Sequence, residues 1–157
     1  MDLPLYPPKG QRRLLDQLWL AKLEQGYQPT PFGSIEIRPP ELSIAVTQFN
    51  QKRYWQCHET LEEIWLPEEY PLRLFYHGLI KAAVGLLHLE RKNRRGAISK
   101  LNDAERTLAP FMPEIMGYDI SRLQADIKQL LALLDNDLVS KQESIYNLPD
   151  VKIRNSG

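Results

Sequence analysis

Apolar residues recur three and four positions apart through four long stretches that contain no proline, and this spacing predicts helices. The twelve prolines confine those stretches to residues 9–28, 41–66, 72–109 and 114–148. Proline lacks the amide proton and clashes with the preceding turn, so helices are expected between prolines rather than across them. Leu14, Leu15, Leu18, Trp19 and Leu23 form the stripe predicted for the first stretch. The second carries Leu42, Ala45, Val46 and Phe49, with Pro40 suited to the first turn. Asn50-Gln51-Lys52-Arg53 is the expected break, and Tyr54, Cys57, Leu61, Ile64 and Trp65 begin a new stripe. Ile120, Leu123, Ile127, Leu130, Leu131 and Leu134 make the face of the last helix, with Ser121 and Gln124 placed as a capping box.

Residues 72–92 are different. Leu74, Phe75, Leu79, Ile80, Ala82, Ala83, Val84, Leu86, Leu87 and Leu89 point in nearly every direction of a helix. A helix that is apolar all round is a buried one, so this stretch is predicted to be central. Asn93 to Gly96 turns the chain, and Ala97, Ile98, Leu101, Ala104 and Leu108 face back along a return helix. The expected fold is all-α: a single-domain bundle of five or six helices over residues 1–157, built on two antiparallel helix hairpins. Residues 27–40 are rich in proline and, despite a weak alternation at 34–38, are expected to form an extended connection. Residues 136–157 form a polar tail that either wraps back or hangs loose.

Composition narrows the class. With 43% apolar and 25% charged residues, the chain fits an ordinary soluble globule and not a disordered one. The longest apolar run, Ala82 to Leu87, is far short of a membrane span. Residues 1–10 hold Asp2 and three prolines and do not read as a signal peptide. The single cysteine, Cys57, excludes an internal disulfide and suits a reducing, cytoplasmic compartment. Charge is uneven: residues 40–71 carry two cations and six anions, whereas residues 72–109 carry eight cations and three anions. Mutual attraction between neighbouring helices accounts for that division. The basic run Glu90 to Arg95 has no interleaved aromatic residue and the chain is neutral overall, so nucleic acid is not the expected partner.

The chemistry-bearing residues are concentrated between 58 and 88. On a helix His58 and Glu62 lie one turn apart at the border of the buried face, between Trp55 and Trp65, while Glu63 faces water. Arg73, His77, Lys81 and His88 share one narrow sector of the otherwise apolar central helix. Buried polar groups need partners, so the His58/Glu62 border and the Lys81/His88 line are expected to meet in a seam between successive helices. One outcome is a satisfied His/Glu/Lys network that fixes helix register. The other is a site in which His58, Glu62 and His88 hold a single divalent metal, with Glu59 and Lys81 as further catalytic candidates. His58-Glu59-Thr60-Leu61-Glu62 has Glu in place of the second His of a zincin motif, and Lys81 would repel a dication. Cys57 falls on the apolar stripe and reads as packing; no nucleophile elbow, P-loop or dinucleotide fingerprint is present.

Phe49-Asn50, Tyr54-Trp55, His58-Glu59, Leu61-Glu62-Glu63 and Trp65, followed by Gly78-Leu79-Ile80, Ala82-Ala83, His88, Asn93 and Gly96-Ala97, resemble the family known as domain of unknown function 309 over residues 42–108. The resemblance implies a small all-helical protein with no established activity, and it picks out the same His58, Glu59, Glu62 and His88 positions. Three residues depart from the family's pattern. Lys52 and Lys92 stand where turn glycines are usual, which leaves Asn50 to help make the first bend. Lys81 stands where glutamine is usual, which favours a salt bridge to Glu59 or Glu62 over a metal-bound water. The hairpins are similar in size to tetratricopeptide helix pairs. A structural or protein-binding module with a groove for a peptide or protein partner is therefore the first expectation, and a small metal-dependent, hydrolase-like enzyme the alternative.

Overall fold

A computed structural model describes residues 2–27, 38–135 and 148–157. Among these residues lie six α-helices: α1 (Arg12–Glu24), α2 (Pro40–Asn50), α3 (Tyr54–Trp65), α4 (Leu72–Glu90), α5 (Arg94–Leu108) and α6 (Ile120–Leu134). A short 3-10 turn at Ala109–Phe111 precedes a two-residue antiparallel ladder of β1 (Glu114–Ile115) and β2 (Tyr118–Asp119). The all-α class and the expected hairpins are present. One apolar cluster takes residues from every helix.

The predicted stripes of α2 and α6 are buried, and so are those of α3 and α5 except for Trp65 and Ile98, which are partly buried. That of α1 is turned. Leu15, Asp16, Trp19, Leu20 and Leu23 face inward, while Leu14 is 53% and Leu18 41% exposed. Trp19 is anchored on this inward face: its indole donates to Pro4 O at 2.8 Å and stacks on Tyr70 at 5.7 Å. Helix α4 is buried around most of its circumference, as predicted. It approaches α5 closely because Gly78 and Gly85 carry no side chain. A β-carbon at Gly78 would lie 2.6 Å from Leu108, and one at Gly85 would lie 2.8 Å from Leu101.

Three local expectations are corrected. The α6 cap is Asp119, whose Oδ1 accepts from the Arg122 amide at 2.8 Å; Gln124 instead donates to Glu105 O at 2.7 Å and ties α6 to α5. Asp119 wins because its backbone is already extended ahead of the first turn. The strand pair, which period-two patterning is too short to reveal, rests on Met116 and Gly117, whose φ angles of 53° and 80° fit a tight hairpin turn. Asn50 does not serve its own bend: its side chain makes two 2.8 Å hydrogen bonds with the backbone of Ile153. Residues 148–157 thus wrap back, with Val151 and Ile153 buried and Arg154 paired to Asp126 at 2.7 Å. The expectations for residues 28–37 and 136–147 fall outside the described residues.

The bends are made by the lysines themselves. Lys52 and Lys92 have φ angles of 63° and 60°, left-handed conformations that crowd a β-carbon. Lys92→Gly should relieve that crowding and, net of the extra freedom of the unfolded chain, raise stability by roughly 0.5–1 kcal/mol in urea unfolding. Lys92→Ala, which keeps the β-carbon, should leave the midpoint almost unchanged.

Candidate functional site

The expected seam is not the one that forms. His58 Nε2 pairs with Glu62 Oε1 at 3.0 Å within α3, and His58 stacks on Trp55, itself 49% exposed. This is a partly exposed contact one turn apart on a single helix. Glu59 is exposed. His88 Nδ1 lies 3.2 Å from Asn93 Nδ2, while Asn93 Oδ1 caps α5 by accepting from the Gly96 amide at 3.0 Å. His88 therefore braces the α4–α5 turn. Lys81 forms no salt bridge with Glu59 or Glu62; its ammonium donates to Thr107 Oγ1 of α5 at 3.1 Å. The reason is lateral. α5 covers the side of α4 that carries Lys81, and α1 comes in beside His77. Among the described residues no group of three or more His, Cys, Asp or Glu side chains is placed to hold a metal ion. His58, Glu62 and His88 do not converge as metal ligands. Cys57 is fully buried, and burial pushes its thiol up to about 12, so it is packing rather than a nucleophile.

An imidazole and a carboxylate do meet, but between α1 and α4. Asp16, on the inward face of α1, accepts from Tyr70 OH through Oδ1 at 2.5 Å and from Arg12 through Oδ2 at 2.6 Å. His77 Nδ1 stands 3.5 Å from the same Oδ2, an ion-pair distance that leaves this buried nitrogen without a hydrogen bond. The His77 ring lies against Trp65, 4.7 Å between centres. Beside Trp65 is Arg73, 3% exposed, which donates to the carbonyls of Trp65, Leu66 and Glu68 and so closes the end of α3.

Arg12, Asp16 and His77 line a cleft of about 330 Å³ between α1, α4 and α5. Five cations line it: Arg12, Arg13, Lys81, Lys100 and Arg106. Against them stand the carboxylates of Asp16 and Asp103. Burial alone would raise the Asp16 carboxyl, but the neighbouring His77 imidazole, the hydrogen bond from Tyr70 and the charge of Arg12 outweigh it and hold it below its ordinary value. Burial pushes the His77 imidazole down; the adjacent Asp16 carboxylate opposes this, and Lys81 and Arg12 add to it. Burial likewise lowers Lys81, against the pull of Asp103 and Asp16.

Residues 42–99 match a family model described as Domain of unknown function (DUF309). The matched segment spans most of α2, all of α3 and α4 and the first part of α5, so it includes His77 and Lys81. Arg12, Arg13 and Asp16 on α1, and Lys100, Asp103, Arg106 and Thr107 on α5, lie outside it. No curated protein matches the chain. Sequence reasoning placed His77 on the polar line of α4 but missed Asp16, Tyr70, Thr107 and the α5 cations. The available signal was Asp16 itself. It is spaced three, four and seven residues from Trp19, Leu20 and Leu23, an acid inside an apolar stripe.

His77 gives the fold a pH dependence of known sign. Its folded-state imidazole is held below the unfolded value of about 6.5. As pH falls through that value the unfolded chain takes up a proton that the folded protein refuses, and stability drops. The depressed Asp16 adds its own loss only below about 4. The urea midpoint should therefore be lower at pH 5 than at pH 7.5, and His77→Gln should lessen this difference. An equal drop in both proteins would contradict the assignment.

Proposed function

We propose that the protein is a binding module that takes an anionic group into the cleft between α1, α4 and α5. Lys81 carries this reading. Its ammonium is half-buried, its hydrogen-bond partner is the neutral hydroxyl of Thr107, and it forms no ion pair among the described residues. A desolvated cation without a counter-ion is costly. Lys100 and Arg13, beside it on the cleft wall, likewise form no ion pair among the described residues. A bound anion offsets that cost for Lys81 and is attracted as well by Lys100 and by the exposed Arg13. Arg12 and Arg106 are already engaged, with Asp16 and with Glu24.

The supporting observations favour an electrostatic binding module over an apolar peptide groove, because the cleft walls are mostly charged. They also favour it over a metal-dependent hydrolase at His58, Glu62 and His88, because those groups have other partners. Arg94, near the start of α5, donates to the Leu134 carbonyl at the end of α6. The basic turn that precedes it is thus tied to the fold. No helix of the described residues is long and apolar enough to cross a membrane.

Isothermal titration at low ionic strength with sulfate and malonate checks the reading. At least one should bind with a dissociation constant below about 1 mM, or −4.1 kcal/mol. Lys81→Met, which keeps an unbranched apolar stem and removes the charge, should weaken it at least about tenfold, close to 1.4 kcal/mol. Arg95→Met, away from the cleft, should not. Absence of binding by both anions to the unaltered protein would overturn the proposal.

A further inference from the structure

The cleft floor contains an unpaired nitrogen whose position says more about the ligand. We propose that the ligand of this cleft is a tetrahedral dianion of the phosphomonoester type, and that His77 takes up a proton as it binds. The inference rests on the anion-binding reading above.

The geometry of His77 supplies the proton site. Nδ1 is buried, faces Asp16 Oδ2 at 3.5 Å and has no hydrogen bond. Trp65 lies along the ring face and fixes its plane. Asp16 is already served by Tyr70 and Arg12, so an uncharged imidazole leaves the carboxylate satisfied in the empty cleft. Protonation would give Nδ1 a hydrogen to donate to Oδ2, and a small closure would convert the 3.5 Å separation into a charge-assisted hydrogen bond. The opposite ring edge, which carries Nε2, belongs to a side chain that lines the cleft and would offer its own N–H to the ligand.

The charges around His77 oppose that proton until an anion arrives. From α1 it faces Arg12 and Asp16, and from the turn before α4 the Tyr70 hydroxyl that is bound to Asp16. Along α4 it has Arg73 one turn before and Lys81 one turn after; α3 contributes the neutral Trp65. Across the cleft α5 presents Lys100, Asp103 and Arg106. Burial and the cations prevail over Asp16, and the ring is held neutral. An anion seated on Lys81, Lys100 and Arg13 cancels the cationic push and adds attraction, so the imidazole charges.

Charge and shape select the ligand class. With Arg12 engaged by Asp16 and Arg106 by Glu24, the cations Arg13, Lys81 and Lys100 against Asp103 leave an excess of two positive charges, and protonated His77 makes it three. A carboxylate monoanion compensates little of this. A tetrahedral dianion can direct separate oxygens at Lys81, Lys100 and Arg13, and still accept from His77. Arg13 adds a planar fork suited to two oxygens at once.

Sulfate, a dianion that does not itself titrate near neutrality, is the probe for the proton. Titration calorimetry at pH 7 in buffers of different ionisation enthalpy should show uptake of about half a proton or more per sulfate bound. Affinity should fall about tenfold between pH 6 and pH 8, the change expected when a bound-state pKa lies at least one unit above the free one. Saturating sulfate should raise the His77 ring titration, followed by proton NMR, while His58 and His88 stay where they were. His77→Gln should still bind sulfate, without uptake. Should that variant fail to fold, the NMR titration of the unaltered protein decides alone. Inorganic phosphate should bind at least as well as sulfate, and malonate at least tenfold more weakly. Sulfate binding with no proton uptake and an unmoved His77 would overturn the proton linkage yet leave the anion cleft standing. Malonate binding as tightly as sulfate would overturn the ligand class. Failure of all three anions to bind would remove the cleft reading and this inference together.

Discussion

The carboxylate of Asp16 is the constraint on which the rest of the arrangement depends. It is buried on an apolar helix face, where an unpaired charge is prohibitive. Its needs are met from two directions: Arg12 from its own helix and Tyr70 from the turn that leads into α4. That demand fixes the rotation of α1. It brings Asp16 to His77, turns Leu14 and Leu18 outward, and places Arg12 and Arg13 along the cleft. Without α1 in this orientation, Lys81 and the α5 cations would line an open surface and not a cleft.

The hairpins built by α2 to α5 are the frame for this constraint. Gly78 and Gly85 let α5 lie against α4 at a distance that a methyl group would block, which places Thr107 within reach of Lys81. Arg73 gathers the carbonyls at the end of α3 beneath the Tyr6, Trp65 and Tyr70 rings, and so holds Trp65 where it can support His77. The C-terminal strap closes the far side by its hydrogen bonds to Asn50 and its ion pair to Asp126. These contacts are structural, and the cleft inherits its rigidity from them.

Much of this frame was legible in the sequence because it rests on local periodicity. The stripes of α2, α3, α5 and α6 and the all-round burial of α4 follow from side-chain direction on a single helix. The site was not legible for the opposite reason. His58 and Glu62 share a turn, so their spacing suggested a site where there is a simple intrahelical pair. His77 and Asp16 are far apart in sequence and meet only through the docking of α1 on α4. Lys81 could be placed on its face of α4, but periodicity within one helix does not say which neighbour covers that face. Ser121 was a plausible cap in composition, yet the choice of Asp119 depended on a backbone already extended by the β2 ladder. Lys52 and Lys92 show the same limit: the bends were expected at the right places, but not that lysine would adopt the left-handed conformation itself.

A double-mutant cycle between Asp16 and Tyr70 tests the central constraint most directly. Asp16→Asn, Tyr70→Phe and the double variant would be compared by urea unfolding at pH 7. If the buried carboxylate organises the α1–α4 junction through the 2.5 Å hydrogen bond from Tyr70, the pair should show a coupling of about 1–3 kcal/mol, the double variant losing less than the sum of the two single losses. Additivity within about 0.5 kcal/mol would show that the two side chains act independently and that Asp16 does not hold the junction.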